Sequence, residues 1–277
     1  MGWSRGWVAT LGCSALLALA PGGARAGVRL ELRSAELGPE ASRPYKYVVW
    51  VDGKRLAAEL KRRDGSPATR RIVFRGDEDR AWLVDLARKT YYQVDPQAAQ
   101  QVASQVAGLR KGLDSGLESL TPEQREAVRD VLGELGKPPE KQRGEVALRE
   151  RGELARQAGF ACAQHDVLEG ARRIAQVCLA DYGRPPLTRE GLAAVPALGG
   201  FLRRTLDPLA REFPALDELA PFAVLDRVDG VPLAVQALEE GKPTRETVVT
   251  KIEEAQADPA LFELPPGLAR SWIPPFR

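Results

Sequence analysis

Apolar and polar residues alternate along the first part of the chain with the two-residue period of a strand that has one face in water. Residues 28–33 show this pattern and predict a first strand. A second strand is predicted over 45–51 and a returning strand over 54–61, with Asp52-Gly53 as the hairpin turn between them.

The stretch 71–95 predicts an antiparallel meander, because three short apolar or aromatic runs are separated by polar turns of a few residues. The runs are 72–74, 81–84 and 90–94, so about six strands precede residue 96. Much of the chain's aromatic content falls in this part, as Tyr45, Tyr47, Trp50, Phe74, Trp82, Tyr91 and Tyr92.

From Pro96 the apolar period becomes helical. The predicted stripe consists of Val102, Val106, Leu109, Leu113, Leu117 and Leu120. Thr121 and Gln124 form the pattern of a capping box and predict the start of another helix. Thr188 begins a mostly helical section that its prolines, Pro208 among them, are expected to cut into short pieces. Two helical insertions are therefore expected, near 97–136 and 188–220.

Strand patterns return around these insertions. A hairpin is predicted over 160–168 and 172–181, and later strands over 222–228, 231–238 and 244–254. Residues 144–156 are polar and give no clear assignment.

Cys162 and Cys178 lie equally far from Gly170 in the predicted hairpin, so they are expected to face each other across it and to form a disulfide. Two buried free thiols are the alternative. A redox-active pair is disfavoured because the Cys-x-x-Cys spacing is absent.

The first 26 residues have the pattern of a secretory signal peptide: an early arginine, an apolar run over 7–20, and Ala24-Arg25-Ala26 as a cleavage site. The apolar run is short for a membrane span, which needs about 20 residues. Cys13 raises the alternative of a lipid anchor, but it lies inside the apolar run. We expect cleavage after Ala26, and a single exported domain over 27–277 in the periplasm or outside the cell.

Charge and hydropathy limit the partners of that domain. The whole chain has 40 Lys plus Arg and 38 Asp plus Glu, and the signal segment removes two arginines and no acidic residue. The balanced charge argues against nucleic acid or an anionic membrane as the main partner. No later stretch reaches the length of a transmembrane helix.

Four fragments in order resemble a family of exported bacterial proteins with a domain of unknown function, similar to LolA-like periplasmic lipoprotein carriers. They are 74–77 with 82–85 and 89–92, the helix start 120–125, the spaced Cys162 and Cys178, and the ending 258–267. The resemblance covers residues 28 to about 268. It implies an α+β fold in which a curved antiparallel sheet, an incomplete barrel, encloses an apolar cavity and has helices covering its open face. The long section from Pro185 to Pro221 departs from the family, which supplies no catalytic residues.

Residue chemistry gives little support for an enzyme. His165 is the single histidine, which excludes sites with several histidines, and no Gly-x-Ser-x-Gly motif accompanies it. Asp77, Glu78 and Asp79 could collect a calcium ion, but the spaced oxygen ligands of a calcium loop are missing. We expect neither a catalytic residue, nor a metal site, nor a cofactor.

Two functions from different classes remain. The first is a carrier or sensor that binds a lipid or another hydrophobic or amphipathic ligand on the concave face of the sheet, with Trp50, Trp82 and Tyr91 as candidate lining residues. Ordinary core packing is the alternative role for these three. The second function is an envelope scaffold that binds another protein and has no ligand.

Overall fold

Twelve strands form one sheet in the computed structural model, which describes residues 27–38, 44–61, 67–118, 120–124, 126, 145–210 and 224–271. The predicted signal segment, residues 1–26, lies outside these ranges. The strands are β1 (Gly27–Glu36), β2 (Tyr45–Asp52), β3 (Arg55–Lys61), β4 (Arg70–Arg75), β5 (Arg80–Asp85), β6 (Thr90–Val94), β7 (Val146–Gln157), β8 (Phe160–Glu169), β9 (Arg172–Ala180), β10 (Val231–Glu239), β11 (Lys242–Ala255) and β12 (Ala269–Arg270). The helices are α1 (Pro96–Glu118) and α2 (Ala194–Ala210), and 3-10 turns cover Val224–Asp226 and Pro259–Phe262.

The sheet consists of two antiparallel meanders joined side by side. Strands β1 to β6 form the first and β7 to β11 the second, and the pairing of β1 with β11 connects them. The short β12 adds to β6 in parallel, with Ala269 opposite Thr90. The sheet is large, curved and open, and its described edges are β12 and β7. This confirms the predicted curved antiparallel architecture with strand groups at the two ends of the chain.

The first meander follows the sequence prediction closely. The strands predicted before residue 96 are present, and the β2–β3 turn contains Gly53 with a φ of 58°, a left-handed conformation that glycine adopts without strain. The pairings from β1 to β6 contain no bulge. Alternate residues of these six strands therefore keep to the same face throughout.

Two segments differ from the prediction. Residues 146–157, which gave no assignment, form the long edge strand β7, whose side chains are mostly exposed on both faces. The predicted strand 222–228 is wrong over its described part, because Val224–Asp226 is a 3-10 turn whose Val224 and Leu225 are buried and whose Asp226 pairs with Arg203 of α2; residues 222–223 lie outside the described residues. An apolar run of that length fits either structure, and the contact with α2 decides between them.

Helix α1 begins where predicted, and the Asp95 carboxylate accepts a hydrogen bond of 2.7 Å from the backbone NH of Ala98. Its buried line differs from the predicted stripe. Leu117 is buried, together with the small residues Ala99 and Ala103. From the predicted stripe, Val102 is 44% exposed and Leu109 67% exposed.

Beyond α1, the predicted capping box is confirmed. The backbone NH of Thr121 donates to Gln124 Oε1 at 3.0 Å, and the backbone NH of Gln124 donates to the Thr121 hydroxyl at 3.3 Å. Most of the helix predicted after it, 127–136, lies outside the described residues.

Helix α2 continues through Pro208, so the expectation that this proline ends a short helix is wrong. The helix packs on the sheet through Phe201, whose ring centroid lies 5.3 Å from that of Phe74 on β4. Both phenylalanines are essentially unexposed. α1 packs against α2. No described helix is long and apolar enough to cross a membrane.

The predicted disulfide is confirmed, and its predicted register is wrong. Cys162 and Cys178 are bonded, with 5.3 Å between their Cα atoms, but Cys178 lies opposite Gln164 and the bond is diagonal. The β8–β9 turn contains two residues, and a bulge near Val167 adds one more on β9. Without that bulge, Cys178 would lie opposite Ala163 of β8. Because Ala163 is the immediate neighbour of Cys162, the two cysteines would then point to different faces of the sheet.

Candidate ligand-binding face

One face of strands β1 to β6 carries α2, and we call it the helix face. Its row of side chains nearest the helix is closely packed. Opposed positions along this row are Val28, Val51, Leu56, Phe74, Ala81 and Val94. Most of them are buried in one core with Phe201, Leu192 and Leu187, which come from α2 and from the segment leading to it. This row anchors the helix to the sheet.

The next rows on the helix face are apolar but only partly covered. We call this surface the apolar shelf: Leu32, Tyr47, Val49, Leu60, Ile72, Leu83 and Tyr92. None of these residues is among the buried core, and Ile72, in the middle of the row, is 39% exposed. A soluble sheet normally places such a row under a helix or another sheet. Leu32 and Val49 at one end of the shelf also pack against the buried core, and Leu30 beside them is 7% exposed, so the partly covered apolar surface that can accept apolar groups is widest over β3 to β6.

The contacts of α2 fix where the cover of this face ends. Phe201 packs on Phe74, and Arg204 forms an ion pair with Asp79 in the β4–β5 turn. The backbone NH of Ala194 donates to the carbonyl of Gly53 at 2.7 Å, so the start of the helix is fixed at the β2–β3 turn. α2 thus lies along the end of the sheet where these turns are, and the shelf begins beside it.

Hydroxyl groups and paired charges border the shelf on the side away from α2. Ser34 on β1 and Thr247 on β11 share a hydrogen bond of 2.9 Å between their hydroxyl groups. Tyr45 is 44% exposed, and burial raises the pKa of the neighbouring Tyr47 above its usual value. Because the raised pKa keeps the Tyr47 phenol protonated at neutral pH, this border can donate hydrogen bonds.

A groove of about 530 Å³ runs along the outside of α1. Its lining is polar: Gln97, Gln100, Gln101, Ser104 and Gln105. Apolar ligands need apolar walls, so this groove is a weaker candidate than the shelf.

The structure places the three predicted lining residues together, but on the opposite face of the sheet. Trp50 and Trp82 lie in one row of that face, and Tyr91 lies in the next. Trp82 and Tyr91 pack under Leu264 and Leu268 of the C-terminal segment. The guanidinium of Arg29 lies 5.5 Å from the Trp50 ring. These residues do not line the face that carries α2, and a ligand role for them on their own face stays a prediction.

The shelf residues were missed by sequence reasoning although a signal for them exists. Val49, Leu83 and Tyr92 are the immediate neighbours of Trp50, Trp82 and Tyr91, and the two-residue period places neighbours on opposite faces. The large aromatic side chains favoured Trp50, Trp82 and Tyr91 as lining residues, whereas the position of α2 favours the face that carries their neighbours.

The residues weighed for other chemistry have structural partners. Nδ1 of His165 lies 3.1 Å from the carbonyl oxygen of Ala163 on the same strand. Asp77 and Glu78 pair with Arg75, and Asp79 pairs with Arg204. The hydrogen bond from Arg75 holds the pKa of Asp77 below its usual value. Within the described ranges, no group of three His, Cys, Asp or Glu side chains is arranged to hold a metal.

No family model and no curated protein sequence matches the chain. Similar solved structures include PNGF-II, with a TM-score of 0.38 and 6% identity over 88% of this chain and 30% of that one. The Pseudomonas aeruginosa MucA/MucB complex gives 0.36 and 12% identity over 86% of this chain and 56% of the other. LolA superfamily protein NE2245 from Nitrosomonas europaea gives 0.34 and 4% identity over 86% and 90%.

The chain thus spans under a third of the PNGF-II chain and just over half of the matched chain in the MucA/MucB complex. A LolA superfamily protein, the group that the sequence resemblance names, is among the similar structures. Similarity at these TM-scores concerns the general arrangement of the strands and assigns no residue, ligand or partner.

Proposed function

We propose that this protein is a non-enzymatic binding protein of the periplasm or the extracellular space, which carries or senses a lipid or another hydrophobic ligand on the apolar shelf. It is exported as one domain after cleavage behind Ala26. Intact-mass measurement of the exported protein tests the export step: a mass that includes residues 1–26 or a lipid group would contradict it.

The shelf is the observation that supports this proposal. Leu60, Ile72 and Leu83 come from three adjacent strands and remain only partly covered, although the row beside them is buried under α2. Each ligand methylene that leaves water contributes up to about 0.8 kcal/mol. A ten-carbon chain then supplies up to about 8 kcal/mol, and association itself costs at least about 4 kcal/mol. Ligands with apolar chains of ten carbons or more are therefore expected to bind with a favourable net free energy.

Helices α1 and α2 are the proposed cover of the open face. α2 is fixed to the sheet at the β2–β3 and β4–β5 turns, whereas α1 packs mainly on α2. Gly108, Gly112 and Gly116 lower the helix propensity of α1 by up to about 1 kcal/mol each relative to alanine. α1 is accordingly the part that would move to admit a ligand.

Displacement of a fluorescent fatty acid, combined with native mass spectrometry of protein purified from an envelope fraction, tests the binding function. Ile72→Asp puts a carboxylate in the middle of the shelf and is expected to weaken probe binding at least ten-fold. Leu154→Asp is the matched control, because Leu154 is an exposed apolar strand residue on β7, outside the shelf. No probe binding by the native protein, or equal losses in both variants, would contradict the proposal.

A separate observation favours the alternative of an envelope protein scaffold. β7 is an edge strand, and its Leu154 is 82% exposed. An extended segment of an envelope protein could add to this edge as a further strand. In that case the native protein would bind no probe, and Leu154→Asp rather than Ile72→Asp would abolish capture of the partner.

A further inference from the structure

Strand β4 is packed on both of its faces close to its turn into β5. On the helix face, Phe74 packs on Phe201 of α2. On the opposite face, Val73 is buried in a cluster against which Leu264 packs, a residue of the C-terminal segment, 258–271. Because neighbouring residues of a strand point to opposite faces, α2 and the C-terminal segment support the same strand from its two sides.

Two arginines bond the C-terminal segment to this end of the sheet. The Phe262 ring is fully buried, and the guanidinium of Arg55 at the start of β3 lies 5.0 Å from its centroid. The guanidinium of Arg75 donates a hydrogen bond of 2.7 Å to the Glu263 carboxylate. It also donates two hydrogen bonds of 2.9 Å to Asp77 in the β4–β5 turn, a paired geometry that fixes its orientation. The C-terminal segment is therefore bonded to the strand ends beside the β2–β3 and β4–β5 turns.

Helix α2 is bonded to the same two turns. The amide of Ala194 bonds to the β2–β3 turn, and Arg204 pairs with Asp79 in the β4–β5 turn. The turns are also joined to each other, since the amide of Gly76 donates to the Lys54 carbonyl at 2.9 Å. Asp79 has a φ of 52°, a left-handed conformation that is unfavourable for a residue with a side chain. Its ion pair with Arg204 helps to hold that conformation, so the turn can relax when α2 moves away.

From this arrangement, and resting on the proposed function, we propose that the C-terminal segment controls the ligand affinity of the apolar shelf from the opposite face of the sheet. When it is docked, it holds the two turns and, through them, α2, which borders the shelf. Ile72 of the shelf also lies on β4, two residues before Phe74. Release of the segment loosens this end of the sheet and lowers the affinity. By linkage, a ligand that contacts the shelf and α2 tightens the docking of the segment by the same factor. Release of the segment is then the step that unloads a bound ligand.

Displacement of the fluorescent fatty acid from the full mature protein measures this control. Phe262→Ala removes the anchor of the C-terminal segment, and its affinity for the fatty acid is expected to be about five-fold lower or more, although Phe262 lies outside the shelf. The control is Cys162→Ser with Cys178→Ser, which loses stability in the second meander, far from both turns. Its affinity should stay within about two-fold of the native value. Circular dichroism verifies that both variants are folded.

Glu263→Gln is a milder variant that leaves Phe262 in place. It weakens the exposed link to Arg75, so the affinity is expected to fall about two-fold. Glu246→Gln is the matched control, because Glu246 pairs with Arg33, 3.7 Å away, on the opposite face but at the other end of β1 from the turns. Its affinity should not change.

Hydrogen exchange in the native protein measures the reciprocal effect. The amides of Ala269 and Ser271 bond to the carbonyls of Lys89 and Tyr91, and they exchange when the C-terminal segment is released. Saturating dodecanoate is expected to raise their protection about five-fold or more, although the ligand lies on the other face of the sheet.

Fatty-acid binding with unchanged affinity in Phe262→Ala, or without added protection of the two amides, would overturn this control and leave the proposed function standing. An equal loss of affinity in the variant without the disulfide would also overturn it, because a general loosening of the fold would then explain the effect. No binding of the fatty acid by the native protein would overturn the proposed function itself, and with it the control of the shelf.

Discussion

Gly199 of α2 lies against the backbone of Asp226, so close that a methyl group on Gly199 would stand 2.4 Å from the Asp226 amide nitrogen. The same methyl would meet the carbonyl carbon and the side chain of Leu225, each at 2.8 Å. This contact holds the 3-10 turn Val224–Asp226 on the helix. It also explains why residues 224–226 form a turn in place of the predicted strand.

Gly199→Ala is expected to destabilise the protein by about 1 to 3 kcal/mol or more, because the obstructing atoms belong to backbone that cannot rotate away. Gly108→Ala on α1 is the matched control. A methyl group there has no atom within 4 Å, so higher helix propensity should raise the free energy of unfolding by up to about 1 kcal/mol. Urea unfolding followed by circular dichroism measures both.

If Gly199→Ala and Gly108→Ala changed the free energy of unfolding in the same direction, that result would contradict this close packing. A stable Gly199→Ala variant in particular would mean that the turn Val224–Asp226 can separate from α2.

The disulfide shows which parts of the fold the sequence can predict. Equal spacing of Cys162 and Cys178 about Gly170 was enough to predict the bond, because cross-strand pairing keeps such residues near each other. It was not enough to predict the register, because the bulge near Val167, which adds the buried Ile174 to β9, has no local turn signal in the sequence. Strand pairs can be predicted from periodicity, and bulges cannot.

Replacing both cysteines, Cys162→Ser with Cys178→Ser, is expected to lower the free energy of unfolding by up to about 3 kcal/mol, as the chain-entropy estimate gives for a loop of this length. The hairpin should still form, since β8 and β9 also pair through the main chain. Denaturant unfolding of the two proteins measures the difference. Free thiols in the denatured, non-reduced native protein would show that the bond is absent.

The candidate face shows why the site was harder to predict than the fold. Trp82 and Leu83 are neighbours in one strand, and only the position of α2 decides which of them faces a helix. That position depends on the long-range contact of Phe74 with Phe201. β7 was missed for a related reason: both its faces are wet, so its sequence has no apolar alternation.

Phe262 is predicted to anchor the C-terminal segment to the sheet. Its side chain is fully buried under the guanidinium of Arg55, 5.0 Å from the ring, and the following residues reach over Trp82 and Tyr91. Phe262→Ala should lower the free energy of unfolding by about 3 to 5 kcal/mol. It should also weaken two hydrogen bonds, from the amide of Ala269 to the turn before β6 and from the amide of Ser271 to β6.

Hydrogen exchange at those two amides measures the effect directly. Pro266→Ala is the control, because Pro266 is exposed and lies in the same segment. Protection that persists in Phe262→Ala would show that Leu264 and Leu268 hold the segment without the anchor.

Acid is predicted to weaken the second meander through Asp166. This carboxylate is 4% exposed, and Arg149 donates a hydrogen bond of 2.9 Å to it, with Arg173 3.5 Å away. The hydrogen bond from Arg149, helped by the charge of Arg173, holds the pKa of Asp166 below its usual value despite the opposing effect of burial. A folded-state pKa below the unfolded one means that the stabilisation is complete above about pH 4 and is lost as the pH falls below it.

Asp166→Asn is therefore expected to cost about 1 to 3 kcal/mol at pH 7, because a buried charge-assisted hydrogen bond is weakened. The difference from the native protein should shrink as the pH is lowered from 5 to 2, since the native carboxylate then becomes protonated as well. Asp229→Asn is the control: Asp229 pairs with Arg189, both side chains are mostly exposed, and the change should stay within about 0.5 kcal/mol. The measurement is the free energy of unfolding of the native and variant proteins across this pH range. A difference between Asp166→Asn and the native protein that is constant with pH would place the acid sensitivity elsewhere in the protein.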